Sequence, residues 1–273
     1  MPTIGLASRS GSLFDAHQPV VTRIYPSTSD FESLSLLRIH ASSEANDFDY
    51  AKVVVPKPWG YEYLWFQNTS VAVWMLHLTA RSATSLHCHT RKRTSLIVMA
   101  GTIVCATIDS RYRLNAGDSV VLEPCVFHSS SSVSDEGVCL MEVEAPPLKG
   151  DLVRFRDNFG RAGQSYESAS EYSTDLDSFD YQPLGRIAHG GNPFDFKGLR
   201  LNFSTFQRPD DFRTKLLPGG LLVPMLGSLV FGRTVVADIG EAISTGDVPL
   251  VSCPAAFPPV ELLQVAPSLP KSS

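Results

Sequence analysis

From about residue 51 onward, the chain is a succession of short apolar runs of β type with turn residues between them. Residues 71–78 read VAVWMLHL, apolar but for one histidine, and are followed by 94–100 (TSLIVMA), 102–109 (TIVCATID), 119–122 (SVVL) and 138–143 (VCLMEV). Gly101, Asn115-Ala116-Gly117 and Asp135-Glu136-Gly137 punctuate the series. No long stretch of helical period interrupts it, and short strands at this spacing predict a sandwich or barrel. Residues 1–50 are rich in Ser, Thr and Asp, and only 34–39 offers a segment ready to pair or pack, so this region is expected to be a partly ordered arm. Residues 51–165 form the first β-rich block. Residues 166–197 read as an acidic linker containing Gly190-Gly191-Asn192-Pro193, and 198–268 as a second β-rich block with strands at 199–206, 221–231, 234–238 and 248–252. Two β-rich blocks joined by a polar linker suggest a duplicated architecture.

Composition narrows the class. With 273 residues and 43% hydrophobic content, the chain can bury a sizeable core without staples. A net charge of −5 gives no global attraction for nucleic acid or anionic membrane, and neither is expected as a partner. The five cysteines (Cys88, Cys105, Cys125, Cys139 and Cys253) are odd in number and contain no C-x-x-C, so no disulfide framework or zinc ribbon is signalled. No secretory signal or membrane-length apolar run is visible. The expected setting is a reducing, cytoplasmic one.

The candidate chemistry sits in Ser85-Leu86-His87-Cys88-His89. Residues two apart in a strand share a face, so His87 and His89 would converge inside a barrel with Cys88 turned away. His128 ends another β run. Three neutral imidazoles would hold one divalent ion (Fe, Mn, Zn, Ni or Co) and leave positions open for water or substrate, as a catalytic rather than structural metal requires.

These segments resemble the two motifs of the cupin superfamily. The first motif pairs H-x-H with a later glutamate and glycine, here His87, His89, Thr94 and Gly101. The second corresponds to Gly117-Asp118 through Pro124-Cys125 to His128. The chain departs from the pattern twice, with Thr94 at the glutamate and Cys125 at the turn glycine. The resemblance implies an all-β fold, the double-stranded β-helix or jelly-roll barrel. Applied to residues 198–268 it implies a bicupin whose second barrel is degenerate: counting back from Gly227 puts Arg213 and Lys215 where His87 and His89 should be, and no histidine lies near Phe257.

The flanks extend the resemblance. Lys57-Pro58-Trp59-Gly60 opens the block and Asp151-Leu152-Val153-Arg154 through Gly160-Arg161 closes it, similar to the cupin module of bifunctional mannose-6-phosphate isomerases over residues 55–165. That likeness implies a small anionic sugar derivative as substrate, while the altered metal positions leave the isomerase reaction itself open. Lys92, Arg93 and Arg154 are the candidate anion-binding residues, with Trp59 as a packing or sugar-stacking wall. Glu62, Tyr61 and Glu142 are the candidate proton-transfer groups. Glu142 and Glu144 share a strand face, with at least one expected at the exterior or rim, and His77 is expected in the core or at the rim. Three readings follow: an isomerase or epimerase of sugar phosphates or nucleotide sugars, a three-histidine Fe(II) dioxygenase, or a non-catalytic cupin binding a small molecule or a partner. The resemblance leaves room for a homodimer.

Overall fold

The computed structural model describes residues 18–37, 48–160, 172–182, 193–248 and 259–268. Arg161, Cys253, Phe257, Gly190, Gly191 and most of the strand expected at 248–252 lie outside them.

Two sheets, antiparallel except for the pairing of the first strand, build the first half. Seven strands form the larger: β1 (Val21–Ile24), β2 (Val54–Lys57), β3 (Gly60–Gln67), β4 (Ala72–Leu78), β6 (Arg93–Ala100), β9 (Ser119–Leu122) and β11 (Val138–Ala145), in the order β1-β9-β6-β11-β4-β3-β2. The smaller contains β5 (Leu86–Cys88), β7 (Thr102–Thr107), β8 (Arg111–Asn115), β10 (His128–Ser132) and β12 (Val153–Arg156), in the order β12-β5-β10-β7-β8. From β4 to β12 the chain passes back and forth between the sheets, which is the double-stranded β-helix expected from the sequence.

Alternation along each strand of the larger sheet feeds two cores. Trp74, Leu76, Leu96, Val98, Val120, Leu122 and Leu140 point into the barrel, where they meet Ile103, Cys105 and Leu114 of the smaller sheet. The intervening Tyr63, Val73, Met75, Ile97, Met99, Val121, Met141 and Val143 point outward into a second core shared with the C-terminal half.

That half contributes a five-stranded sheet of β13 (Phe194–Phe196), β14 (Leu199–Phe206), β15 (Leu221–Leu226), β18 (Ile243–Ser244) and β19 (Val260–Pro267), in the order β13-β14-β19-β15-β18. A hairpin of β16 (Leu229–Phe231) and β17 (Thr234–Ala237) accompanies it. Arg213 and Lys215 do not occupy a strand. Arg213 lies in a short helix, α2 (Pro209–Thr214), and Lys215 caps it, so the counted equivalence to His87 and His89 does not hold.

Within the N-terminal region, residues 18–37 contribute two elements. β1 adds to the larger sheet parallel to β9. A helix, α1 (Thr28–Leu36), follows, started by Ser27 and Asp30 in reciprocal capping hydrogen bonds. Among the described residues, no helix is long and apolar enough to cross a membrane.

Candidate metal centre

His87 lies in β5, His89 just past its end and His128 at the start of β10, directly opposite His87 across the two strands. The ring centroids stand 4.5 Å (His87–His128), 5.1 Å (His87–His89) and 5.4 Å (His89–His128) apart. One ligand atom from each comes within 4.8 Å of the other two.

Backbone carbonyls orient all three rings. His87 Nδ1 donates to Ser85 O at 2.8 Å, His89 Nδ1 to Asp151 O at 2.6 Å and His128 Nδ1 to Val126 O at 3.0 Å. With the proton on Nδ1, each Nε2 presents its lone pair to the common centre, and His89 Nε2 is buried with no hydrogen-bond partner. Such an arrangement fixes the ligating tautomer. Burial holds all three rings neutral: His87 and His89 are lowered well below the ordinary value and His128 to about 4. The donor set therefore fits a divalent transition ion.

Asp151 organises the turn beside the site. Its carboxylate accepts hydrogen bonds from the backbone N–H groups of Thr90, Arg91 and Lys92 and from the Thr90 hydroxyl, while its carbonyl fixes His89. Sequence reading found Asp151 only as the first residue of the closing motif. At Gly60 of the opening motif, φ is +142° and an added Cβ would lie 1.9 Å from His77 O, so only glycine fits. Cys125, at the position of the motif's turn glycine, keeps a glycine-like φ of 73°. That conformation costs a β-carbon-bearing residue about 1 kcal/mol. Its N–H donates to His89 O at 2.7 Å, tying the turn before His128 to the strand end of His89.

A cavity of ≈ 60 Å³ adjoins the histidines, lined by His87, His89, three carboxylates (Glu62, Glu142, Glu144), four cations (Lys57, Lys92, Lys149, Arg154) and Trp59, among others. Glu62 Oε1 meets Lys149 Nζ at 2.9 Å and Lys57 Nζ at 3.5 Å, and Lys92 Nζ meets Glu144 Oε1 at 2.6 Å. Lys149 Nζ also sits 3.5 Å from the centroid of the Trp74 ring. Burial, and then the charge of Glu144, pushes the Glu142 carboxyl up to about 7 against the pull of Lys149 and Lys92. Burial pulls the Lys149 ammonium down, but Glu62, Glu144 and Glu142 outweigh it and the net shift is upward.

The structure thus gathers His87, His89, His128, Glu62, Glu142, Lys92, Arg154 and Trp59 around one centre and leaves two expected residues out. Tyr61 alternates with Glu62 and faces outward, where its ring stacks on His77 at 4.5 Å. It cannot move a proton in this cavity. Arg93 alternates with Thr94 and also faces outward, pairing with Glu123 at 3.1 Å and with Asp238 and Glu241 of the C-terminal half at 3.8 and 4.0 Å. Neither Glu142 nor Glu144 lies at the exterior or rim: both are buried, because their strand parity is that of Val138 and Leu140, which face the barrel interior. Lys57 and Lys149 were missed as pocket residues. Their place in the opening and closing segments was the available signal.

The sequence matches no protein-family model and no curated protein. Similar solved structures include KdgF from a Halomonas species, at 14% identity over 33% of this chain and 82% of that one, with a TM-score of 0.32. A second is an uncharacterized conserved protein with a double-stranded β-helix domain from Klebsiella pneumoniae, at 17% identity over 42% of this chain and 100% of the other, TM-score 0.34. A third is a cupin-superfamily sugar phosphate isomerase from Silicibacter pomeroyi, at 13% identity and TM-score 0.30; the match covers 31% of this chain and spans only 58% of that structure.

Proposed function

We propose that this protein is a metal-dependent enzyme of isomerase or epimerase type acting on an anionic sugar derivative, such as a sugar phosphate or nucleotide sugar. The observation that carries the reading is the convergence of three carbonyl-oriented imidazoles on a cavity that also holds four cationic side chains and three carboxylates. A divalent ion (Fe, Mn, Zn, Ni or Co) held by His87, His89 and His128 would supply Lewis-acid polarisation of a substrate carbonyl or hydroxyl.

The chain's own groups do the rest. Glu142, pushed up to about 7, can take and return a proton near neutral pH, where acid–base groups work best. Lys92 and Arg154 supply buried positive charge for the anionic group. Glu62 is anchored by its two lysines and stands as a second carboxylate at the same wall, and Trp59 walls the cavity.

The test is a panel of sugar phosphates and nucleotide sugars assayed with each metal. The expected result is turnover with at least one metal, lost in His87→Ala and reduced on the order of 100-fold or more in Glu142→Gln. Fe(II)-dependent oxygen uptake without isomerisation would favour a dioxygenase instead. Absence of turnover across the panel would leave a binding protein.

A further inference from the structure

The turn that delivers His128 to the metal centre is held by its first residue. Glu123 gives its backbone N–H to Ile24 O of β1 at 3.0 Å, and its carbonyl accepts from Val126 N at 3.3 Å. Val126 O in turn accepts from His128 Nδ1. The direction of the His128 ring is thus set by Val126, and that of Val126 by Glu123.

The Glu123 side chain is gripped from outside the barrel. Arg93 Nε lies 3.1 Å from both carboxylate oxygens, and Arg23 Nε of β1 donates to Oε1 at 3.0 Å. Two guanidinium groups around one carboxylate repel each other unless a second negative charge stands behind them. Glu241 of the C-terminal half supplies it: its Oε2 lies 2.6 Å from Arg23 Nη2 and 4.0 Å from Arg93 Nη1. The same oxygen accepts from Asp238 N at 3.0 Å, which fixes where the carboxylate points. Gly240, the residue before it, accepts the Ser95 hydroxyl of β6 on its carbonyl. Exposed ion pairs contribute little, but the Glu123 and Glu241 side chains are only 12% and 8% exposed, and forked bonds to a shielded carboxylate fix direction as well as charge.

We propose that Glu241 is a positioning residue of the metal centre. Through Arg23 and Arg93 it sets Glu123, and through Glu123 the direction of His128, so the C-terminal half tunes a centre whose three histidines all come from the first half. The inference rests on the reading of His87, His89 and His128 as metal ligands.

Titration of the full chain with Co(II), read by calorimetry and visible absorption beside urea unfolding of the same variants, tests it. Wild type is expected to bind one ion. Glu241→Gln keeps the shape and removes the charge. It is expected to bind one ion about 2- to 30-fold more weakly, the range for residues that bias a site without touching its ligand, and with shifted visible bands. Arg93→Lys, which keeps the charge and loses the fork, is expected to do the same, and decides alone if Glu241→Gln does not fold. Glu123→Gln is expected to weaken binding too. The double variant Glu123→Gln/Glu241→Gln is expected to bind no more weakly than Glu123→Gln alone, because both changes act along one path. Wild-type affinity and bands in Glu241→Gln, even with lowered stability, would overturn the proposal by leaving the network a purely structural role. Losses that simply add in the double variant would overturn it as well. If His87→Ala abolishes binding in the same series, the three-histidine reading stands whatever Glu241 does. A wild-type chain that binds no cobalt removes both.

Discussion

Each histidine of the centre donates from Nδ1 to a backbone carbonyl, and the position of that carbonyl decides where Nε2 points. A fourth histidine, half-buried, has a lowered pKa without the convergence. His77, on the outer face of β4, stacks on Tyr61 and has its pKa lowered to about 4, chiefly by burial. In the unfolded chain the ring titrates near ~6.5. Between those values only the unfolded chain binds the proton, so this contribution is complete above pH 6.5 and is lost as pH falls toward 4. The full loss is about 3 kcal/mol for this group. Urea unfolding at pH 7 and pH 5 is expected to show a smaller drop in stability for His77→Gln than for wild type. Equal drops would mean that His77 is protonated in the folded protein.

At the scale of elements, α1 has a role its sequence does not advertise. Its only buried residue is Asp30, which closes the capping box with Ser27 and also accepts a hydrogen bond from Phe127 N at 2.9 Å. The helix thereby pins the backbone one residue before His128. Asp30→Ala removes the pin and one half of the capping box, leaving the Ser27 hydroxyl bond to the backbone N–H of residue 30. It is expected to destabilise the fold by about 1–3 kcal/mol and to weaken metal binding, whereas Glu32→Ala on the same helix changes neither. Unchanged metal affinity in Asp30→Ala would show that His128 is positioned without the helix.

The same contrast explains what could be read in the sequence. Strands with a continuous apolar run, such as β4, β6 and β9, or with apolar residues in alternation, as in β14, announce themselves, as do the histidines at strand-face spacing. β10 does not, because HSSSS carries no hydrophobic period; its serines bury small polar side chains by turns. α1 does not, because TSDFESLSL buries a carboxylate rather than an apolar stripe. Tyr61 and Arg93 were misplaced because spacing fixes which residues share a face, not which face looks inward. Glu62 and Thr94, their chain neighbours, are the ones that turn in.

At the scale of the whole molecule, the two halves share a core. Phe203, Leu201, Val223 and Leu263 of the C-terminal sheet belong to the same buried cluster as Met75, Ile97 and Met141 of the larger sheet. Ser95 adds a polar link, its hydroxyl donating to Gly240 O at 2.6 Å and accepting from Ala242 N at 3.1 Å. The C-terminal half is therefore part of the wall behind the barrel. All three tryptophans (Trp59, Trp65 and Trp74) lie in the first half, and Trp65 sits in the shared core with its ring 6.3 Å from that of Phe194. Phe203→Ala is expected to lower the stability read by tryptophan fluorescence by about 3 kcal/mol. A fluorescence transition that does not move would mean that the halves unfold independently.

The central claim is tested most directly by the metal content of the purified chain, measured by elemental analysis without an affinity tag, for wild type and for His128→Ala. One divalent transition ion per wild-type chain and none in the variant is the predicted result. A wild-type chain that carries no ion, and takes none up when Fe, Mn, Zn, Ni or Co is supplied, would contradict it.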